Sequence, residues 1–313
     1  MGSLRSVRLE MVPPRRGIIW TNFGAHARIL GAGNFAQWIR HFRFGKRKTA
    51  PEAKTGWNVR MSLKRILITN DDGINAPGIK ALEQSLAPVG EVTVIAPDRE
   101  MSATSQAITL HSPMRVQRID DRHYAIGGTP ADSVILALYH ILPQRPDLVV
   151  SGINPGGNIG ENVVYSGTVG GAMEAAVHGV PSFAISLASR QDLDFSFAAG
   201  FAAQLATKIL EEGLAPGVCL NVNVPRGEVR GVRVTRQSQK ISQNMVLEQK
   251  DPRGRPHYWL DETVELGDVE PDSDYGAILA REISVTPLQV DRTHYPSLNH
   301  ISRWLPELQV AKK

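Results

Sequence analysis

The sequence is poor in cysteine and has no long apolar run. Cys219 is the only cysteine among 313 residues, which excludes an intramolecular disulfide and a cluster of thiolate metal ligands. No stretch approaches the roughly 18 consecutive apolar residues of a membrane-spanning helix, so we expect no membrane partner. With 42% hydrophobic and 21% charged residues, the composition predicts a globular protein, and the single cysteine favours a cytoplasmic location.

Positive charge is concentrated at the start of the chain. Residues 1–60 carry 12 Lys and Arg against two acidic residues, a net charge of +10, whereas the rest carries 23 basic and 29 acidic groups, a net of −6. We predict that residues 1–60 are a basic N-terminal extension, disordered or arising from a mis-assigned start, and that a compact domain begins at Met61. A nucleic-acid-binding protein would depend on this extension, but the acidic body argues against a stable nucleic-acid partner.

From Leu63 onward, short apolar runs alternate with stretches of helical spacing. The runs that predict buried strands are residues 66–69, 91–97, 147–151 and 182–187. The stretches that predict helices are residues 78–86, 132–141, 168–178 and 195–212. Apolar strands separated by helices predict an α/β fold with a doubly wound, mostly parallel sheet that is covered on both faces.

Polar side chains follow three of these strands. They are Asn70, Asp71 and Asp72 after the first strand, Ser102 and Ser105 after the second, and Asn154 and Asn158 in a loop after residues 147–151. Ligands of open α/β sheets bind beyond the carboxyl ends of the strands. We therefore expect the three loops to converge on one rim.

The adjacent carboxylates of Asp71 and Asp72 indicate a divalent cation. Burying two carboxylates that repel each other is costly unless a positive charge neutralises them. Their oxygens, together with neutral oxygens from Ser102 and Asn154 and with water, suit the near-octahedral shell of Mg²⁺ or Mn²⁺ better than they suit zinc. Both aspartates reach one ion only if the strand breaks between them, which Gly73 allows. The alternative is a solvated turn in which Asp71 caps the following helix.

A second motif, YSGTVGGAME at residues 165–174, opens a predicted helix. Ser166, Gly167 and Thr168 place hydroxyl and backbone N–H groups at the helix N-terminus, where a phosphate can bind. The alternative is that the hydroxyl groups only cap the helix. Capping is the favoured interpretation of a similar motif, GTPADSV at residues 128–134.

Seven separated blocks of this sequence occur together, in this order, in one known protein family. The blocks are ILITNDDGINAPGI, VIAPDREMSATSQAIT, GTPADSV, DLVVSGINPGGNIG, YSGTVGGAMEAA, DPRGRPHYW and SVTPLQVDRTHY. Together they resemble the SurE family of metal-dependent 5′-nucleotidases over roughly Leu63 to Tyr295. The resemblance implies a Rossmann-like fold and removal of phosphate from nucleoside 5′- and often 3′-monophosphates, with some action on polyphosphate. It also implies a C-terminal arm exchanged between the subunits of a homodimer, which can pair into a homotetramer.

The resemblance also implies roles for individual residues around one divalent metal ion per subunit. The positions that match the family's metal ligands are Asp71, Asp72, Ser102 and Asn154. The positions that match its phosphate-side residues are Asn70, Asn158, Ser166, Gly167 and Thr168. Two departures are Met101, where a polar or basic residue is expected, and residues 1–60, which have no counterpart in the family core.

The C-terminal third has its own pattern. Residues 232–284 combine polar, strand-like runs with too few apolar positions for a separate core, which predicts an extended β-hairpin arm that packs on a partner chain. The alternative is a mobile surface insertion. We accordingly divide a nucleotidase domain at 61–313 into a core of about 61–228 and an arm and oligomerisation region of about 229–313.

Motifs of other phosphate-transferring enzymes are missing. Position 73 is glycine, so no second aspartate follows Asp71 at i+2, and Pro225 rather than arginine lies six residues after Cys219. There is also no GxxxxGK[ST] loop. These absences favour metal-assisted, direct attack of water on phosphorus, with Asp71 and Asp72 as catalytic residues and one of them orienting the water. A non-catalytic nucleotide-binding module is the alternative.

Overall fold

Nine strands form one sheet in the computed structural model, which describes residues 63–239, 242–264 and 269–308. The described residues contain eleven strands in all, which are β1 Arg65–Thr69, β2 Glu91–Pro97, β3 Val116–Arg118, β4 His123–Ile126, β5 Leu148–Pro155, β6 Ser182–Leu187, β7 Val218–Val224, β8 Gly231–Val234, β9 Ser242–Lys250, β10 Pro256–Val264 and β11 Glu282–Gln289. The order in the sheet is β3-β4-β2-β1-β5-β6-β7-β11-β8, while β9 and β10 pair as a separate antiparallel hairpin. All neighbours from β4 to β7 are parallel, which confirms the predicted mostly parallel, doubly wound sheet.

Helices connect the strands and cover both faces of the sheet. They are α1 Pro77–Leu86, α2 Pro130–Leu136 with a π-helical extension Ala137–Ile141, α3 Asn162–Tyr165, α4 Gly167–Val177, α5 Ser196–Glu212, α6 Asp274–Leu279, α7 Tyr295–Ser302 and a 3₁₀ turn Leu305–Glu307. The predicted capping box is confirmed, because Thr129 and Asp132 cap α2 reciprocally. In the described residues no helix is long and apolar enough to cross a membrane.

The central strands are buried on both sides. Ile66 and Ile68 of β1 pack with the cluster that contains α1 and α5, whereas Leu67, between them, packs with the cluster that contains α2 and part of α4. All three side chains are at most 1% exposed. Because alternate residues of a strand point to opposite faces, a continuous apolar run is what such a doubly covered strand requires.

The third predicted strand is longer than its sequence indicated. It was expected to end at Ser151, with Asn154 in a loop, but β5 continues to Pro155 and pairs with β6 through a register shift between Gly152 and Asn154. A Cβ atom on Gly152 would lie 2.3 Å from the carbonyl oxygen of Ile185, so this glycine permits close strand approach rather than a turn. Asn154 therefore lies at the end of a strand, three residues beyond the pair formed by Ser151 and Thr69.

The C-terminal hairpin is shorter than the predicted arm. Both ends of the expected range 232–284 belong to the main sheet, where β8 pairs with β11 and β11 pairs with β7. Ile283 of β11 is 1% exposed and joins the core, so this part of the chain does not depend on a partner for its burial. Within the described residues, the extended hairpin consists of β9 and β10 alone. The predicted extension at 1–60 and the expected domain start at Met61 lie outside the described residues.

Candidate metal-binding active site

The two aspartates lie where the sheet changes its winding direction. Asn70, Asp71 and Asp72 directly follow β1, which is flanked by β2 on one side and β5 on the other. Asn70 and Asp71 are buried, and Asp72 is half-buried. Gly73 has a φ of 94° and turns the chain, after which the N–H of Ile74 donates to a carbonyl of β2. The strand thus breaks at the aspartates, at the switch point where α/β sheets bind ligands.

The N-terminus of α4 packs directly against Asp71. The hydroxyl of Thr168 donates to Asp71 Oδ1 at 2.5 Å, although 97 residues separate the two in the chain. A Cβ atom on Gly167 would lie 2.8 Å from Asp71 Cβ and 3.0 Å from Asp71 Oδ2. Only glycine therefore lets the helix come this close to the carboxylate. From a third direction, the N–H of Met101 donates to the Asp71 carbonyl at 2.7 Å.

Burial and like charge raise the pKa values of both aspartates. Burial raises the pKa of Asp71, and hydrogen bonds from Thr168 oppose that shift. Burial, then the charges of Asp71 and Glu100, raise the pKa of Asp72 to about 7. Among the described residues no positive side chain contributes to either shift. The pair therefore lacks the counter-charge that would stabilise two ionised carboxylates.

Unpartnered oxygens lie at the same place. Asp72 Oδ2 and Asn70 Oδ1 are buried and have no hydrogen-bond partner among the described residues. Buried acceptors without partners are rare in folded proteins and need an explanation, such as a bound ion. Carboxylate and amide oxygens are the ligands that Mg²⁺ and Mn²⁺ prefer. The residues at the end of β1 thus fit a hard divalent cation.

Ser102 lies in the first part, residues 98–106, of the connection from β2 to β3, which is called the 98–106 loop below. Its hydroxyl is exposed and donates to Glu100 Oε1 at 2.8 Å, which leaves the lone pairs of its oxygen as acceptors. In the part of the chain that the structure describes, no three His, Cys, Asp or Glu side chains are grouped to hold a metal, so neutral oxygens such as that of Ser102 would complete the shell. Glu100, whose charge acts on both aspartates, is a residue that the sequence analysis missed. Its position two residues before Ser102 was the available signal.

The two asparagines that follow β5 differ in their surroundings. Asn154 donates from Nδ2 to the Gly156 carbonyl at 2.7 Å, which fixes its side chain at the strand end. Asn158 is 7% exposed, donates from Nδ2 to Ser186 Oγ at 2.8 Å, and receives donors from Asn221 and Asn223 on its carbonyl. In the described residues no hydrogen bond joins Asn158 to an aspartate. The structure therefore holds Asn158 at the ends of β6 and β7, through an asparagine network that the sequence analysis missed.

The predicted phosphate-side turn has a second role. Ser166 caps α4 by accepting from the Val169 N–H at 3.0 Å, as the alternative interpretation proposed, while Thr168 orients Asp71. The helix that follows Asp71 in the chain, α1, has no side-chain cap, so the alternative in which Asp71 caps that helix is wrong. The structure thus brings Gly167 and Thr168 against Asp71, at the N-terminus of α4, where the helix dipole is positive, while Ser166 caps the helix beside them.

Comparisons with known proteins identify relatives over most of the described chain. A family model described as Survival protein SurE matches residues 66–244. The chain belongs to the SurE family. The 5′-nucleotidase SurE of Moorella thermoacetica is 48% identical over 248 residues, which cover 77% of this chain and 95% of that protein. The 5′-nucleotidase SurE of Geotalea uraniireducens is 46% identical over 246 residues, 77% of this chain and 98% of that protein.

A solved SurE structure has the same fold. The SurE protein of Aquifex aeolicus matches with a TM-score of 0.70 at 40% identity, over 77% of this chain and 99% of that chain. The range matched by the SurE family model contains the end of β1, the 98–106 loop, the end of β5 and the N-terminus of α4. The resemblance seen in the seven sequence blocks is therefore confirmed at the level of the family and the fold.

Proposed function

We propose that this protein is a metal-dependent 5′-nucleotidase that hydrolyses nucleoside monophosphates to nucleoside and phosphate. The observation that carries the proposal is the adjacent pair of buried Asp71 and half-buried Asp72 at the sheet switch point, where among the described residues no positive side chain contributes to the pKa of either carboxyl. The relatives of this chain that carry the name 5′-nucleotidase SurE support the same activity. Because the chain belongs to the SurE family, we extend the proposal to the hydrolysis of nucleoside 3′-monophosphates and short polyphosphate.

One divalent cation per subunit, Mg²⁺ or Mn²⁺, would be held by Asp71, Asp72, Ser102 and Asn154. The unpartnered Asp72 Oδ2 and the hydrogen bond that fixes Asn154 support this assignment. Such an ion supplies polarisation of a phosphoryl oxygen and lowers the pKa of a water molecule. The hydrogen bonds from Thr168 keep Asp71 in place, so that its carboxylate does not have to reorganise when substrate binds.

The substrate phosphate would lie between α4 and the end of β1. Ser166, Gly167 and Thr168 form the first turn of α4, where the helix dipole favours an anion. Asn70 donates one N–H to the Gly73 carbonyl at 3.0 Å, and its amide nitrogen has a second N–H for a phosphoryl oxygen. Asn158, on the far side of the rim, completes the proposed phosphate contacts. These donors would stabilise the charge that develops as water attacks phosphorus.

The proposal is tested by phosphate release from a panel of nucleoside 5′- and 3′-monophosphates with Mn²⁺, with Mg²⁺ and with EDTA. We expect release that EDTA abolishes and that D71N and D72N reduce by about 100-fold or more, because each variant removes a charged ligand. E212Q, which changes an exposed carboxylate on α5, is the matched control. Nucleotide binding without hydrolysis, indifferent to EDTA, would instead identify a non-catalytic nucleotide-binding module.

We also propose that the hairpin of β9 and β10 carries a subunit contact of a homodimer or homotetramer. Trp259 and Leu260, which are neighbours on β10, are 58% and 86% exposed, and Val246, opposite Leu260 on β9, is 63% exposed. Both faces of the hairpin thus present apolar side chains. A lone two-stranded hairpin is marginally stable in water, so a partner chain would stabilise it. The cytoplasmic location stays a prediction that depends on the single cysteine.

A further inference from the structure

Four residues, two of α4 and its two cap residues, form a row along the helix. Ser166, Gly170, Glu174 and His178 are spaced four residues apart and so lie on the same face of the helix. The row begins at the cap beside Asp71 and ends at the C-terminus of the helix. Glu174 is only 7% exposed, which makes it an ionisable group buried two turns away from the candidate site. A buried carboxylate that the proposed chemistry does not use calls for another role.

Both oxygens of Glu174 are engaged. Oε2 accepts from Gln106 Nε2 at 2.6 Å, and Oε1 lies 3.0 Å from His178 Nε2. The other ring nitrogen of His178, Nδ1, lies 3.0 Å from the hydroxyl oxygen of Tyr139. Gln106 ends the 98–106 loop, four residues after Ser102. The hydrogen bond from Gln106 is short and has a carboxylate acceptor, which makes it a strong contact by the usual standards. Glu174 therefore joins α4 to the loop that carries a proposed metal ligand.

The same loop approaches α4 closely one turn earlier. A Cβ atom on Gly170 would lie 2.3 Å from the carbonyl oxygen of Ser105. Ser105 also donates from its N–H to the Tyr165 carbonyl at 2.9 Å and from its hydroxyl to the Val164 carbonyl at 2.7 Å. The contact between Gln106 and Glu174 continues this row. In the described chain, several contacts hold residues 105 and 106 against α3 and α4. The contact between Gln106 and Glu174 is the one of these that involves a charged group.

We propose that Glu174 is a positioning residue for the metal site and that it acts through Gln106. By holding Gln106 on α4, Glu174 would restrain the 98–106 loop, in which the N–H of Met101 donates to the Asp71 carbonyl and Ser102 follows directly in the chain. The proposal rests on the proposed function, in which Ser102 is a ligand of the cation. Without the contact, the loop has more freedom, and binding the cation must then include the cost of ordering the loop.

The direct test is Mn²⁺ binding to the metal-free protein, measured by titration calorimetry, beside kcat and KM for a nucleoside monophosphate. We expect E174A and Q106A each to weaken Mn²⁺ binding by about tenfold, the size of one charge-assisted hydrogen bond. E174Q keeps an acceptor oxygen for Gln106 and should recover most of the affinity. E212A, which removes an exposed carboxylate of α5, should bind Mn²⁺ as the unsubstituted protein does.

The double variant E174A/Q106A separates positioning from general stability. If Glu174 acts through Gln106, the double variant should bind Mn²⁺ no more weakly than either single variant, whereas independent effects would multiply. Should E174A fail to fold, Q106A decides the question, because it leaves the buried carboxylate with His178. Wild-type Mn²⁺ affinity in Q106A would overturn the proposal. If the unsubstituted protein neither binds Mn²⁺ nor hydrolyses nucleotides, the proposed function fails as well, which is a distinguishable result.

Discussion

Replacing Gly167 with alanine should damage the proposed active site through a single added methyl group. The new Cβ atom would lie 2.8 Å from Asp71 Cβ, where ordinary contacts are 3.4–4 Å. Asp71 Cβ is bonded to the backbone and cannot swing away as the end of a long side chain can. The carboxylate must therefore shift by at least about 0.6 Å, or α4 must retreat by a similar distance. Either movement also disturbs the hydrogen bond from Thr168 to Asp71 Oδ1.

A displacement near 1 Å at a reacting group costs up to about 100-fold in rate, so we expect G167A to lose roughly 10- to 100-fold in kcat/KM for a nucleoside monophosphate with Mn²⁺. The overpacking should also destabilise the fold by about 1–3 kcal/mol. G200A is the matched control, because Gly200 lies within α5 and a Cβ atom there meets nothing within 4 Å. It should keep full activity and gain about 0.5–1 kcal/mol of stability from the better helix former.

The comparison of the two variants can refute this reasoning. If G167A keeps kcat/KM within about threefold of G200A, less than 1 kcal/mol of transition-state stabilisation is lost, and Gly167 does not control the position of Asp71. Thermal melting of both variants must accompany the kinetics. A loss of activity in G167A that simply follows loss of folded protein would likewise contradict a local effect at Asp71.

Three further predictions concern pH, the cysteine and assembly. The pKa of Asp72 is about 7 in the folded protein against an ordinary 3.8, so the stabilising effect of the protonated group is lost as the pH rises through 7. The melting temperature of the metal-free protein should therefore fall between about pH 5 and about pH 8, and it should fall less in D72N. Equal slopes of melting temperature against pH in the two proteins would contradict the raised pKa of Asp72. Burial raises the pKa of Cys219 to about 12, so a thiol reagent should label it only after unfolding, and rapid labelling of the native protein would contradict its burial. L260D on the exposed hairpin should shift the protein toward monomer in size-exclusion chromatography with light scattering, whereas L63D, at a residue that is 73% exposed outside the hairpin, should leave the assembly unchanged.

Much of the sheet and part of the site could be predicted because their signals are local. The strand at residues 66–69 and the helix at 78–86 follow from continuous burial and from helical spacing, and both agree with the structure within one residue. The turn at Gly73 was predictable because both aspartates can reach one ion only if the strand breaks, and glycine readily adopts the positive φ found there. The prediction that β5 ends at Ser151 and leaves Asn154 in a loop was wrong, because the strand continues through Gly152 to Pro155. There the glycine permits close approach of β6, a contact with a strand some 30 residues away that local patterns do not contain.

The sequence by itself determined the α/β class, the alternation of buried strands and helices, and the choice of Asp71 and Asp72 as the centre of the candidate site. These features depend on periodicity and on the chemistry of neighbouring residues, which a linear sequence records. Only the tertiary structure decided that Thr168 orients Asp71 across 97 residues and that Glu174 holds Gln106 across 68. Such contacts depend on how α4 packs on the sheet and on the path of the loop after β2. They are set by the packing of the whole domain, because no local preference specifies which distant side chains meet.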